Sequence, residues 1–188
     1  MTKALPPVSQ KRYHSSISGC GRHALAASSG GSKRLANLHL CREGDRNKPV
    51  VILIHGLNGH FLDSWRPDGA PPDACWPHWL SEDSGCDVYL LEYDASLSRW
   101  QNQAMPLPDQ GDQVASLLSV HPKLVERQLV LIGHSMGGLV IKTLITQSMH
   151  KDDPRHQAMV RRIRGVVFIA TPHQGAELAN LAQAIGKL

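Results

Sequence analysis

No stretch of this 188-residue chain approaches the ~20 consecutive apolar residues that a membrane-spanning helix needs. No secretory apolar leader precedes the cysteines. Any membrane contact is therefore expected to be peripheral, and an intracellular location is expected. Cysteine is scarce: Cys20, Cys41, Cys75 and Cys86 are scattered and none forms a C-x-x-C pair. Free thiols in a reducing compartment are expected, with a Cys75–Cys86 disulfide as the alternative. The 11 histidines include no H-E-x-x-H, so neither a metal nor another cofactor is expected. Acids are missing from residues 1–40, which hold six Lys/Arg, while the remainder carries 14 Lys/Arg against 16 Asp/Glu. The formal charge of +4 thus belongs to the amino-terminal stretch. The near-neutral remainder is a poor match for nucleic acid, and oligomeric state is not legible.

With 41% hydrophobic residues, the chain can bury one sizeable core. Residues 1–37 hold seven serines and show no hydrophobic periodicity, which predicts a disordered basic tail. Their acid-poor composition also fits an organelle transit segment. From residue 38 to 188, strand and helix patterns alternate. Leu38–Cys41, a Gly44-Asp45 turn and Val50–Ile54 predict an antiparallel hairpin. Residues 61–75 read as a loop, and Pro77 can open a short helix through Glu82. Asp87–Tyr93 reads as a strand, residues 95–108 as a loop and about 110–121 as a helix with Val114, Leu117, Leu118 and Val120 on its apolar side. Then come a strand at Gln128–Ile132, a helix at Met136–Met149, a polar loop between His150 and His156, a strand at Arg164–Ala170 and a helix at Ala176–Ile185. The helix from Met136 is expected to bury Leu139, Val140, Thr143 and Leu144. This order predicts an α/β domain, a mostly parallel sheet with helices on both faces.

The sharpest signal is Gly133-His134-Ser135-Met136-Gly137, a G-x-S-x-G run between a strand pattern and a helical one. That order is what a nucleophile elbow requires: a tight turn holds the serine hydroxyl clear of the sheet. Gly133 and Gly137 are expected where a Cβ would clash with the adjoining helix or strand. The pattern alone is common by chance, as a Gly-rich turn. Upstream, however, the buried-strand run Val50–Ile54 ends in His55-Gly56-Leu57-Asn58-Gly59-His60. An HG loop after an earlier strand is where such enzymes draw a second oxyanion donor. Ser135 is the predicted nucleophile, with the backbone N–H groups of Leu57 and Met136 as the oxyanion hole.

These two motifs do not stand alone. With Trp65-Arg66, Cys75-Trp76, Val88–Asp94 and Val166–Gly175, they resemble the α/β-hydrolase superfamily. The resemblance covers residues 38–180 or so. Within the superfamily the chain is most similar to lipase-like serine esterases, the group that includes the serine-active-site-containing protein and the GPI inositol-deacylases. It implies an α/β-hydrolase fold, a serine mechanism, a lipid-type carboxylic ester as substrate and a mitochondrial or endoplasmic-reticulum association.

In that superfamily an acid and then a histidine follow the serine. Here the choices after Ser135 are few. His150, Asp152, Asp153 and His156 lie at or beyond the far end of the elbow helix, roughly 20 Å away for His150 at 1.5 Å per residue. A parallel strand should return His173 to the nucleophile's edge, which makes it the one candidate base, although the resemblance implies a shaping role for it. The acid and base are not identifiable, which suggests a carboxyl-terminally incomplete domain. Little ester hydrolysis is expected of these residues by themselves. The alternative is a catalytically inactive truncated or pseudo-hydrolase that binds a lipid or a protein partner. A peptidase fits the motifs less well.

Overall fold

The computed structural model describes residues 35–71, 73–95 and 107–173. The order along the chain is β1 (Asn37–Arg42), β2 (Val50–Ile54), α1 (Trp76–Ser84), β3 (Asp87–Glu92), α2 (Leu107–Val120), β4 (Leu129–His134), α3 (Met136–His150), α4 (Pro154–Arg162) and β5 (Ile163–Ile169). The strands form one five-stranded sheet in the order β1-β3-β2-β4-β5. All pairings are parallel except β1 with β3.

The Val-Val-Ile-Leu-Ile run explains the centre. All five β2 residues are buried, and their side chains alternate between two cores, as strand geometry demands. Val50, Ile52 and Ile54 join Val114, Leu118, Val140, Ile141, Leu144 and Met159 beneath α2, α3 and α4. Val51 and Leu53 join Val88, Leu90, Ile132 and Trp65 on the other face, with Phe61, Leu62 and Leu80 packed against them. A strand apolar on both faces belongs inside a parallel sheet covered on both sides. The α/β-hydrolase expectation for the sheet therefore holds.

The expected hairpin does not form. β3 lies between β1 and β2, pairing antiparallel with β1 (Leu38 opposite Leu91) and parallel with β2 (Val51 beside Val88). A strand buried at every position needs neighbours along both edges, whereas β1, with only exposed and half-buried residues, suits the rim. Asp87 holds the crossing in place: its Oδ1 accepts from Gly44 N at 2.5 Å, while Asp45 N donates to Gly85 O at 2.8 Å.

Sequence reasoning also missed α4, having taken Lys151–Pro154, between His150 and His156, for a polar loop and assigned no helix after it. Asp153 caps this helix by accepting from Arg155 N at 2.9 Å, and Pro154 stands at its start, a usual pairing at a helix N-terminus. Helix α2 begins earlier than expected, with Pro108 in its first turn. It buries Gln110, Val114, Ala115 and Leu118 and leaves Val120 exposed. In α3 the buried line is Met136, Val140, Ile141 and Leu144, with Leu139 and Thr143 half-buried. A 3-10 turn at Asp63–Trp65 interrupts the 61–75 loop. Cys41, Cys75 and Cys86 are free thiols, so the Cys75–Cys86 alternative is excluded. Expectations for residues 1–34, for most of the 95–108 loop and for a helix at 176–185 fall outside the described residues.

At the N-terminal edge of the parallel strands, Arg127 Nη1 donates to Asp87 Oδ2 at 2.9 Å and Nη2 donates to Lys48 O at 2.7 Å. One guanidinium thus ties together the segments leading into β2, β3 and β4. The Asp87 side chain is 8% exposed and that of Arg127 17%, so removing one partner strands a charge away from water. Asp87→Ala should lower the unfolding free energy by about 2 kcal/mol in urea denaturation. Lys123→Ala, which breaks a 3.9 Å pair with Glu43 between half-exposed side chains, should stay within about 0.5 kcal/mol of the parent.

Candidate active site

Strand β4 ends at His134 and α3 begins at Met136, so Ser135 alone makes the turn. Its φ of 52° and ψ of −121° lie where non-glycine residues are strained. The surroundings over-determine that strain. Ser135 N donates to Ile169 O of β5 at 2.8 Å, and Gly138 N donates to Ser135 O at 3.1 Å. A Cβ on Gly133 would fall 2.6 Å from Gly138 Cα, and one on Gly137 would fall 2.6 Å from His55 O. The expected clashes are real: the first turn of α3 rests directly on backbone at the ends of β2 and β4.

The same packing brings the HG loop to the serine. A Cβ on Gly56 would lie 2.8 Å from Ser135 Cβ and 3.3 Å from His134 Nδ1. Tyr93 Oη donates to His55 O at 2.6 Å, its ring tilted over the His55 ring at 4.5 Å. Asn58, itself at φ 53°, donates its N–H to Ala95 O at 2.8 Å, and Gly59 N donates to Gly56 O at 3.0 Å. Neither the Leu57 nor the Met136 N–H takes part in a loop or cap backbone hydrogen bond among the described residues. Tyr93 was not singled out from sequence; an apolar-aromatic strand end carries no sign of which carbonyl its hydroxyl will find.

Burial sets the electrostatics. It is the main effect holding the His55 imidazole below the ordinary histidine range, against the opposing hydrogen bond from its Nδ1 to Gly56 O. Burial also lowers His134 and raises the Tyr93 phenol. Trp65, whose buried Nε1 has no hydrogen-bond partner among the described residues, stands edge-on to His134 with ring centroids 6.2 Å apart.

His173 returns to this edge after β5 but engages the flank of α3. Its Nδ1 lies 2.6 Å from Lys142 Nζ, and its ring is edge-on to Phe168 at 5.3 Å. Thr171 binds the loop to the elbow, donating to Gly133 O at 3.4 Å and packing where a Cβ on Gly138 would sit. His150 ends α3 and donates from Nδ1 to Thr146 O, while His156 is buried with its Nε2 3.3 Å from Ser116 Oγ. The described residues contain no cluster of three or more His, Cys, Asp or Glu able to hold a metal ion.

A family described as the PGAP1-like alpha/beta domain matches residues 99–186. Mouse protein SERAC1 is 30% identical over 159 residues, covering 74% of this chain and 24% of that protein. The GPI inositol-deacylase of Candida albicans is 25% identical over 137 residues, covering 65% and 30%. Among solved structures, the mature form of the Bacillus licheniformis lipase BlEst2 superposes with a TM-score of 0.55 at 20% identity, over 79% of this chain and 52% of that one. The chain has an α/β-hydrolase fold and is similar to lipase-like members of that group. It spans about a quarter of the length of the curated relatives it matches.

Two outcomes follow for this α/β-hydrolase fold. Gly137→Ala forces a methyl against the His55 carbonyl and should cost at least about 2 kcal/mol in denaturant unfolding. Gly165→Ala, where the nearest atom to a new Cβ is Val130 Cγ1 at 3.8 Å, should be neutral or slightly stabilising. The second concerns pH. The folded chain keeps His55 and His134 neutral below the ordinary histidine pKa of ~6.5, while the unfolded chain takes up those protons. Their contribution is complete above that value and shrinks as pH falls through it. The urea midpoint should drop between about pH 7.5 and pH 5.5, with a shallower slope in His134→Gln and His55→Gln.

Proposed function

We propose that this chain carries the nucleophile and the oxyanion-binding groups of a serine hydrolase that cleaves carboxylic esters in lipids. Ser135 Oγ attacks the ester carbonyl. The developing oxyanion is received by the N–H groups of Leu57 and Met136, at the positive end of α3. Each such donor is worth ~10²–10³ in rate in serine hydrolases. One observation carries the reading: a strained serine begins a helix so close to Gly56 that an added Cβ there would lie 2.8 Å from the serine Cβ, and the next amide of each segment makes no loop or cap backbone hydrogen bond among the described residues. The lipid ester comes from similarity. One relative is by name a GPI inositol-deacylase, and the lipase BlEst2 shares the fold.

His173 fits the role of base poorly. Its Nδ1 lies 2.6 Å from Lys142 Nζ, where a triad base has its carboxylate. A triad base needs Nδ1–H donated to that carboxylate and Nε2 free to accept from the serine. The alternative is a non-catalytic domain that binds a lipid or a partner.

Labelling with a fluorophosphonate separates these readings. The parent chain should label at Ser135 and Ser135→Ala should not, while His173→Ala keeps its labelling rate within about twofold. Label persisting in Ser135→Ala would remove the nucleophile assignment. Label lost in folded His173→Ala would make His173 the base.

A further inference from the structure

Helix α1 precedes β3 and runs back against the direction of the parallel strands. Its C-terminus is fixed at their N-terminal edge, where Lys48 Nζ donates to Ser84 O at 2.6 Å and Asp45 N donates to Gly85 O. Its N-terminus therefore lies at the edge that carries Ser135. Trp76, the first residue of α1, has its ring 6.0 Å from that of Trp65, which in turn stands beside His134. Trp76 is 37% exposed, and Trp79, one turn further on, is 48% exposed. Two indoles one turn apart on α1 are thus only partly covered, and ring contacts link the first of them through Trp65 to His134 beside the nucleophile.

Exposed indoles at i and i+3 suit a surface that is apolar inside and wet outside, because the ring is an apolar body with one N–H to hydrate. The charge around them decides what kind of surface. Residues 55–84 contain the acids Asp63, Asp68, Asp73, Glu82 and Asp83 and one Lys or Arg, Arg66, while Arg42 of β1 reaches this helix to pair with Glu82 at 2.7 Å. Arg66 is bound to Asp63 at 2.5 Å. The region lacks the basic cluster that anionic headgroups require and would repel them. Indole faces near carboxylates are instead the chemistry that recognises a quaternary ammonium.

We propose that the Trp76–Trp79 side of α1 docks on a zwitterionic, phosphatidylcholine-type lipid surface, setting the Ser135 edge against the lipid. The proposal gives the lipid-ester reading its approach to substrate and rests on that reading only for its purpose. Docking itself needs no chemistry at Ser135.

The test uses the full chain and phosphatidylcholine vesicles in a sedimentation assay. The parent and Ser135→Ala should bind equally, with little change between about 0.1 M and about 0.5 M salt. Trp76→Ser/Trp79→Ser should bind at least about tenfold more weakly, and Trp79→Ser, altering only the more exposed ring, should fall between. Tryptophan emission should shift to the blue on binding for the parent and not for the double variant, with far-ultraviolet dichroism confirming that both are folded. Equal binding by the double variant would overturn the proposal, as would failure of the parent to bind. Binding confined to phosphatidylglycerol vesicles and lost at high salt would also overturn it, placing membrane contact on the basic residues 1–40. Because Ser135→Ala is tested alongside, loss of the nucleophile assignment would leave this result standing, and the reverse.

Discussion

The rest of the structure depends on one close approach: the first turn of α3 against backbone at the end of β2. Gly137 has no Cβ, so the helix can rest on the Ile54 and His55 carbonyls. Any larger residue would lift it. With the helix down, Ser135 must turn through positive φ to join β4 to α3. The same descent brings Gly56 within van der Waals reach of the serine. The strain at Ser135 is thus a consequence of packing, held by the Ile169 and Ser135 carbonyl bonds and by the buried strand on which the helix sits.

That dependence explains which parts were legible in the amino acids. A tight helix-on-strand approach leaves glycines at fixed offsets, and a strand buried on both faces leaves an unbroken apolar run. Both signals are local, so Gly133, Gly137 and Val50–Ile54 announce the sheet centre and the elbow together. The place of the HG loop followed because a parallel sheet puts every strand end that leads into a helix on one edge.

What was misread depends on longer-range or competing terms. The β1–β2 hairpin looks favourable because a turn joins two strand patterns. Burial of β2 on both edges overrides it and puts β3 in between. Helix α4 was hidden because its outward side is polar and charged. Its register was carried by Asp153-Pro154 and by two buried side chains, His156 and Met159. Tyr93 and Lys142 act through partners distant in the chain, and no spacing rule reveals a hydroxyl that will meet a carbonyl 38 residues away.

The elbow also sorts its own amides. Ser135 N is taken by Ile169 O and Gly138 N by Ser135 O. Across the gap, Asn58 N is taken by Ala95 O and Gly59 N by Gly56 O. Each occupied amide flanks one, Met136 on one side and Leu57 on the other, that makes no loop or cap backbone hydrogen bond among the described residues. An orphan N–H at a helix start is ordinarily satisfied by a cap side chain, yet Ser135 makes no such bond. A serine that capped its own helix would turn its oxygen back into the backbone. Such a cap would reach Gly137 or Gly138 and leave Met136, the first amide of α3, untouched, so what the uncapped turn spares is the serine oxygen itself.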